Sequence, residues 1–214
     1  WAAVALAVVV AGVCGALSGY FVAYCGVQPM VVTLGGSFLF TGVALLVSNL
    51  SATESYKGIS GFPDSFLQLS KFKLFGVIPC QVIIFLVLAV IAYVLLNKTK
   101  YGRMVFLIGV NKDAAEFSGI NTRLITMTTY ILSGISAAIA GIILTSYIGT
   151  AKSDIGVTFT LPIITAVVLG GTLSTGGKGS VVGTALAAVV IGVLKFGLPL
   201  CFKVPQQYLD IPVG

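Results

Sequence analysis

Long runs of apolar residues, separated by short polar or glycine-rich segments, dominate the chain. Within each run the apolar residues are continuous rather than alternating, which argues against the strands of a membrane β-barrel. Backbone groups in lipid must be hydrogen-bonded within their own segment, so the runs are predicted to be helices. A helix needs about 20 apolar residues to cross the hydrocarbon layer. Six helices are predicted, over residues 1–24, 30–50, 77–96, 124–148, 181–198 and, as a shorter run, 161–171.

The composition favours a membrane protein over a soluble one. Charged residues make up 8% of the 214 residues and hydrophobic residues 57%, and the mean hydropathy is +1.10. Soluble domains carry roughly 25% charged residues. The predicted fold class is therefore all-α, a polytopic transmembrane helical bundle, with residues 1–214 forming a single transmembrane domain. Because Trp1 stands inside an apolar run, without an initiator Met or a signal peptide, the sequence is expected to be incomplete at both ends.

Basic residues are most frequent in the polar segment 97–123. Cytoplasmic loops carry an excess of Lys and Arg, and the segment 51–76, before the third predicted helix, contains fewer basic residues. Residues 97–123 are therefore predicted to be cytoplasmic and residues 51–76 to be external. The basic residues compared are Lys98, Lys100, Arg103, Lys112 and Arg123 in the first segment, and Lys57, Lys71 and Lys73 in the second.

The same alternation places residues 149–160 outside and residues 172–180 inside. The latter segment, with the sequence TLSTGGKGS, superficially suggests a phosphate-binding loop. That motif requires Gly five places before its second Gly, and Ser or Thr directly after Lys. Here those two positions hold Thr172 and Gly179. The segment is therefore predicted to be a turn between two membrane helices.

Several other functional classes lack their usual residues. The net charge is +6, but the basic residues are scattered among apolar segments and form no continuous basic stripe, so no nucleic-acid partner is expected. No His is present and the cysteines show no CxxC spacing, so neither a metal nor a cofactor is expected in this chain. No nucleophile and base are recognisable, which argues against an enzyme. The cysteines are Cys14, Cys25, Cys80 and Cys201.

A short surface helix is predicted inside the segment 97–123. Asn111 suits an N-cap, Asp113 lies in the first turn, and Gly119 suits a C-terminal stop. Two interpretations remain open: a solvated connector, or a docking element for a cytoplasmic protein whose apolar face combines Ala114, Phe117 and Ile120. The docking hypothesis assigns this contact to Lys112, Asp113, Glu116, Phe117 and Gly119, with Phe117 as the main anchor.

Two segments share a glycine-containing pattern, Thr33-Leu-Gly-Gly-Ser-Phe38 and Val168-Leu-Gly-Gly-Thr-Leu173, each with a proline upstream. Paired helices interrupted by Gly or Pro mark the pathway in many transporters. A match this short also arises by chance, so a repeat and a coincidence both remain open. The transport hypothesis selects, as candidates near the translocation path, Thr33, Gly35, Gly36, Thr165, Gly170 and Gly171.

Small residues also recur at a spacing of four, which allows close helix approach in lipid. Ordinary helix packing is the favoured interpretation, and a dimerisation role is the alternative. The residues concerned are Gly15 with Gly19, Ser133 with Ala137 and Gly141, and Gly179 with Gly183 and Ala187.

The order of the motifs resembles the ribose-type permeases of ATP-binding cassette importers. Residues 109–119 and 132–149 are followed by Ile164-Thr-Ala-Val-Val-Leu-Gly-Gly-Thr172 and Gly176-Gly-Lys-Gly-Ser-Val-Val-Gly-Thr184. Near the start of a helix, Pro29-Met-Val-Val-Thr-Leu-Gly35 is similar to the family signature "P-F-I-x-T-L-G". Within the family, Ser146-Tyr-Ile-Gly-Thr-Ala-Lys-Ser-Asp154 is most similar to the second permease of autoinducer-2 importers.

The resemblance implies a bacterial inner-membrane permease that spans the membrane several times. The complete protein would have about ten helices. It would carry a small sugar-like solute, autoinducer-2 or a monosaccharide such as ribose. Residues 97–123 would be its coupling loop, with ATPase coupling at Lys112, Asp113, Glu116, Phe117 and Gly119. The implied partners are a second permease, identical or homologous, two cytoplasmic ATP-binding cassette subunits that hold the ATP, a periplasmic solute-binding protein, and membrane lipid.

Two departures from the family pattern leave the substrate open. Met30 replaces the usual Phe of the signature, and Thr172-Leu-Ser-Thr175 replaces the commoner "T-S-L-x-G". The alternative to an ATP-driven importer is an ion-coupled secondary transporter or a channel subunit. Such a protein is expected to bury acidic residues or to present rings of charge. All six acidic residues of this chain lie outside the predicted helices.

Overall fold

The computed structural model describes residues 1–49, 58–71, 73–74, 78–153 and 155–202. The predicted helix end at Leu50 and the predicted external residue Lys57 lie outside these residues.

In the described part the regular secondary structure is helical apart from two short antiparallel strands, so the all-α prediction is confirmed. The strands are β1 (Lys73–Leu74) and β2 (Ile78–Pro79). The helices are α1 (Ala2–Ala23), α2 (Pro29–Asn49), α3 (Asp64–Lys71), α4 (Cys80–Lys98), α5 (Lys100–Val110), α6 (Lys112–Phe117), α7 (Thr122–Ile148), α8 (Thr160–Leu169) and α9 (Val181–Phe202), with a short 3-10 helix at Val157–Phe159.

Four of these helices are long and apolar enough to cross a membrane: Ala2–Ala23, Pro29–Ser48, Cys80–Lys98 and Thr122–Ile148. They coincide with the first four predicted helices. Two shorter apolar helical segments, Val157–Leu169 and Val181–Lys195, correspond to the fifth and sixth. At about 1.5 Å per residue, the 10 residues of α8 cover only half of a hydrocarbon layer about 30 Å thick.

The chain divides into two compact units, the first comprising Trp1–Phe85 and Ile120–Ile155. In this unit α1 packs along α7 with backbones in contact. A Cβ added to Gly15 would lie 2.5 Å from the carbonyl oxygen of Tyr130, and one added to Gly134 would lie 2.5 Å from the carbonyl oxygen of Ala11. Only glycine leaves room for the two backbones to come this close. In lipid there is no hydrophobic driving force between helices, so they associate through this kind of close packing at small residues.

The small-residue spacing predicted the α1 side of this contact but not the α7 side. Gly15 and Gly19 both face the backbone of α7, with Met127 Cα 3.1 Å from a Cβ added to Gly19. Gly141, selected by the same reasoning, has no described atom within 4 Å of such a Cβ. Where the structure describes the chain, Gly134 rather than Gly141 meets α1, and a close contact at Gly141 stays a prediction.

The second unit comprises Leu86–Gly119 and Gly156–Gly214, and its described part contains α5, α6, α8 and α9. In it, α8 and α9 form a hairpin. Gly170, directly after α8, lies against the backbone of Gly183 and Thr184 in the first turn of α9. Ala166 and Ala187 are buried, at 6% exposure each. Small residues therefore permit close packing at this helix pair as well, as the spacing of Gly183 and Ala187 predicted.

Most apolar side chains of the long helices remain exposed. In the described part the buried hydrophobic residues are Ala23, Ala115, Ala166, Ala187 and Ile191. None of the apolar window of α2 or α4 is buried. An apolar surface this extensive requires lipid or neighbouring helices around it.

Candidate coupling segment and translocation path

The predicted coupling loop, residues 97–123, contains two helices. Sequence reasoning predicted α6 but missed α5. The hydroxyl oxygen of Thr99 accepts the backbone N–H of Gly102 at 3.3 Å and so caps the start of α5. Gly102 lies against the backbone of Leu96 at the end of α4, so the connection between α4 and α5 is tight. Thr99, as a capping residue ahead of an apolar segment, is the sequence signal that could have indicated this helix.

Asn111 is the single residue between α5 and α6. Its backbone N–H bonds to the carbonyl oxygen of Leu107 at 3.1 Å, and its side-chain oxygen accepts the N–H of Ala114 at 3.0 Å. The predicted N-cap is therefore confirmed. Gly119 has φ of +81°, and its N–H bonds to the carbonyl oxygen of Glu116 at 3.0 Å. Gly119 thus provides the predicted stop with a left-handed conformation that glycine adopts readily.

Phe117 is 94% exposed at the end of α6. Ala114 is exposed as well, whereas Ala115 is buried on the opposite face, at 4% exposure. Ile120 is half-buried. The predicted exposed face of three apolar residues is therefore wrong at Ile120, and the apolar surface of α6 consists of Ala114 and Phe117. The charged residues of the hypothesis, Lys112, Asp113 and Glu116, are all exposed.

The turn between α8 and α9, residues 170–180, contacts the end of α5. A Cβ added to Gly109 would collide with the backbone nitrogen of Gly177 and lie 3.2 Å from the carbonyl carbon of Gly176. Gly176 and Gly177 have φ of +88° and +78°. The phosphate-loop-like sequence is thus a turn between two helices, as predicted. Its contact with the coupling loop was not predicted, because glycines far apart in sequence give no pairing signal.

The first glycine pair lies inside a continuous helix. Neither Gly35 nor Gly36 interrupts α2. A Cβ at Gly35 would meet no described atom within 4 Å, and one at Gly36 would lie 3.5 Å from the ring of Phe40 in the same helix. The hydroxyl of Thr33 donates to the carbonyl oxygen of Pro29 at 3.0 Å. The prediction of an interrupted helix is therefore wrong at Gly35 and Gly36, whereas close packing of these two glycines stays a prediction.

The second glycine pair ends its helix. The N–H of Gly170 bonds to the carbonyl oxygen of Ala166 at 2.9 Å, and Gly171 has φ of +86°. One turn earlier, the hydroxyl of Thr165 donates to the carbonyl oxygen of Leu161 at 3.0 Å. The first glycine pair belongs to the first unit and the second pair to the second unit. A path-lining role for either pair stays a prediction.

Two contacts within the units agree with the predicted topology. In the first unit, Ile59 and Ala151 form an antiparallel bridge with N–H to oxygen distances of 2.9 and 3.0 Å. This joins the two segments predicted to be external. In the second unit, Gly109 and Gly177 join two segments predicted to be cytoplasmic. Two segments that lie outside the membrane-spanning helices and touch through their backbones must be on the same side of the membrane. The predicted topology places the two segments of each of these contacts on the same side.

Neither a metal-binding cluster nor a disulfide is evident where the structure describes the chain. No group of three or more Cys, Asp or Glu side chains there could hold a metal ion. Cys14, Cys25 and Cys80 are free thiols.

The chain is similar to permeases of known import systems. It is 42% identical over 213 residues to the autoinducer 2 import system permease protein LsrD of Photorhabdus luminescens, covering 100% of this chain and 63% of the relative. The protein of the same name from Yersinia pseudotuberculosis is 42% identical over 92% of this chain and 59% of the relative. That from Salmonella paratyphi B is 41% identical over 96% of this chain and 61% of the relative. The chain therefore spans about three fifths of the length of these relatives.

No solved structure matches the chain significantly. Residues 1–210 match the family described as "Branched-chain amino acid transport system / permease component". The resemblance to importer permeases, and to the second permease of autoinducer-2 importers, is thus confirmed. Together with its four membrane-length helices, the match shows a multi-pass inner-membrane protein, and the chain belongs to this family of permease components.

Proposed function

We propose that this chain forms the translocation path of an ATP-driven importer for autoinducer-2. The observation that carries the proposal is its identity of 41–42%, over nearly its whole length, to proteins named as autoinducer 2 import permeases. The family description names branched-chain amino acids, and the motifs also resemble ribose permeases. Ribose and leucine are therefore the informative competing solutes.

The chain would act as a passive conduit that takes its energy from partners. A conduit needs two conformations with different contacts to its partners, and it needs no cofactor or catalytic group of its own. ATP would be bound and hydrolysed by two cytoplasmic subunits. A second permease would cover part of the exposed helix surface, lipid would cover the rest, and a periplasmic binding protein would deliver the solute.

The exposure of Phe117 supports docking of an ATP-binding subunit on α6. Its aromatic ring is 94% exposed, so the rest of the described chain does not cover it, and its segment is predicted to face the cytoplasm rather than lipid. Buried aromatic anchors contribute most to binding in many protein interfaces. Lys112, Asp113 and Glu116 would form the polar rim around this anchor, and Gly119 would let the chain turn back toward the membrane.

The placement of acidic residues argues against an ion-coupled carrier. Among the described residues, Asp64 lies in α3, and Asp113 and Glu116 lie in α6, all outside the four membrane-length helices. Ion-coupled carriers bind their ion with buried acidic or other polar groups near the middle of the membrane. Coupling to ATP on a partner requires no such group in this chain.

An uptake experiment tests the proposed function. The full-length protein is expressed with its partner subunits in cells that lack their own importer, and uptake of autoinducer-2, ribose and leucine is measured. We expect ATP-dependent uptake of autoinducer-2 that an ionophore leaves unchanged. Uptake that follows the ion gradient, or uptake of leucine alone, would contradict the proposal.

A second experiment tests the docking anchor. Phe117→Ala is expected to weaken association with the ATP-binding subunit by about 2 kcal/mol, or roughly 30-fold in Kd, as is typical of an interface hot spot. Phe21→Ala is the matched control because Phe21 is a half-exposed ring on α1, inside a membrane-length helix. Equal association of the two variants in a pull-down from detergent would remove Phe117 from the interface.

A further inference from the structure

Three glycines bring the end of α5 and the turn between α8 and α9 into backbone contact. A Cβ added to Gly109 would lie 3.0 Å from Gly177 Cα, in addition to its collision with the Gly177 nitrogen. In the other direction, a Cβ on Gly176 would lie 3.1 Å from the carbonyl oxygen of Gly109. One on Gly177 would lie 3.0 Å from the Cα and the nitrogen of Val110. The atoms nearest to a Cβ on Gly109 are all backbone atoms, whereas a Cβ on Gly177 would also lie 2.8 Å from Val110 Cγ2.

On one side of this contact, α6 follows almost immediately. Only Val110 and Asn111 separate Gly109 from α6. Asn111 is hydrogen-bonded to both helices, through its N–H to Leu107 and through its side chain to Ala114. Since Asn111 is fixed at both ends, α6 has little freedom to move without moving Gly109.

On the other side, the turn is fixed to both helices of the hairpin. The N–H of Leu173 bonds to the carbonyl oxygen of Lys178 at 3.1 Å and closes the turn. The hydroxyls of Thr172 and Thr184 lie 3.3 Å apart and connect the turn to the first part of α9. Gly170 lies against the same residue, Thr184. The turn and the adjoining ends of α8 and α9 therefore form one closely packed element.

We infer that Gly109 and Gly177 are positioning residues of the coupling segment, whose backbone contact transmits displacement of α6 to the α8–α9 hairpin. The inference rests on the proposed function, in which a partner ATPase moves α6. Energetic coupling between sites travels through packed elements with defined alternative arrangements. Contact between backbones suits this role because it has no side-chain torsions that could absorb a displacement.

The coupling ratio, solute imported per ATP hydrolysed, tests the inference in the full-length transporter reconstituted in proteoliposomes. Gly109→Ala adds a methyl that forces the two backbones apart. Gly141→Ala adds the same methyl to α7 at a position where, apart from the neighbouring backbone of α7 itself, no described atom lies within 4 Å of it. A loss of folded protein lowers uptake and hydrolysis together and leaves their ratio unchanged. We expect the ratio to fall about 2- to 30-fold in Gly109→Ala, the range for residues that carry coupling, and to stay unchanged in Gly141→Ala.

A second pair of variants controls for backbone strain. Gly177→Ala introduces a steric clash with Val110 and also the strain of a non-glycine residue at positive φ. Gly26→Ala introduces only the strain, because Gly26 has φ of +68° and no described atom lies within 4 Å of an added Cβ. We expect the ratio to fall only in Gly177→Ala. Unchanged ratios in both Gly109→Ala and Gly177→Ala would overturn the inference.

A distance measurement separates failure of the inference from failure of the proposed function. Spin labels are attached at Ser118→Cys, directly after α6 and outside the proposed docking residues, and at Ser174→Cys in the turn, both exposed positions, with the native cysteines replaced. We expect one narrow distance distribution, which broadens in Gly109→Ala but not in Gly141→Ala. A parent protein without ATP-dependent uptake contradicts the proposed function. A broad distribution in that same parent protein overturns the inference.

Discussion

The hydroxyl of Ser146 near the end of α7 donates a hydrogen bond of 2.8 Å to the backbone carbonyl oxygen of Phe66 in α3. Ser146 is buried, with 3% of its surface exposed. The bond joins two residues that are 80 positions apart in sequence, and the bridge between Ile59 and Ala151 joins the same two regions of the chain. It therefore fixes α3 to the end of a membrane-length helix.

The first prediction is that Ser146→Ala destabilises the protein by about 0.5–1.5 kcal/mol, the net contribution of a typical hydrogen bond. For a chain of this size that corresponds to roughly 2–4 °C in Tm per kcal/mol. Ser136→Ala is the control, because the Ser136 hydroxyl donates to the carbonyl oxygen of Leu132 in its own helix, at 2.9 Å. Thermal unfolding in detergent measures both. Equal Tm values for the two variants would mean that the bond to α3 contributes nothing to stability.

The second prediction concerns two glycines of α7 with opposite surroundings. Gly134→Ala pushes a methyl against the Ala11 carbonyl and is expected to cost about 1–3 kcal/mol, as for other overpacked sites. Gly141→Ala has open space within the described structure and is expected to stabilise the helix by up to about 1 kcal/mol, because alanine is the better helix former. Tm shifts of opposite sign are the expected result. Shifts of the same sign would contradict the packing of α1 on α7.

The sequence predicted the long helices well because membrane spans leave a strong signal. Continuous apolar runs indicated α1, α2, α4 and α7 to within a few residues. Capping chemistry alone predicted α6, because Asn111 and Gly119 act locally. The signal was weaker for α5, where Thr99 was not recognised as a cap.

Contacts between distant segments were not predictable from the sequence. A glycine pattern indicates that close approach is possible but not which backbone approaches. Gly15 was therefore recognised as a packing position, whereas Gly134, which does not belong to the spacing of Ser133, Ala137 and Gly141, was not. The contact between Gly109 and Gly177 was missed for the same reason. At Gly35 the pattern suggested a broken helix, but glycine only weakens a helix and the neighbouring apolar residues keep α2 continuous.

The third prediction is that Lys112 faces the cytoplasm and Lys152 the periplasm. Both side chains are exposed, so Lys112→Cys and Lys152→Cys form a matched pair in a background without native cysteines. An impermeant maleimide applied to spheroplasts is expected to label Lys152→Cys directly and Lys112→Cys only after permeabilisation. The reason is the excess of basic residues in the segment 97–123. Direct labelling of Lys112→Cys in intact spheroplasts would reverse the topology.

The fourth prediction separates lining of the path from packing at the two glycine pairs. Gly35→Leu has open space within the described structure, so it is expected to leave Tm nearly unchanged and to lower uptake severalfold if Gly35 faces the path. Gly170→Leu collides with the first turn of α9, so it is expected to lower both uptake and Tm, with a cost of about 1–3 kcal/mol or more. Leu86→Phe adds bulk at an exposed position of α4 that belongs to neither glycine pair, and serves as the control. Uptake is measured per molecule of protein in the membrane, because a packing defect also reduces the amount inserted. Gly35→Leu with uptake equal to that of Leu86→Phe would exclude Gly35 from the path.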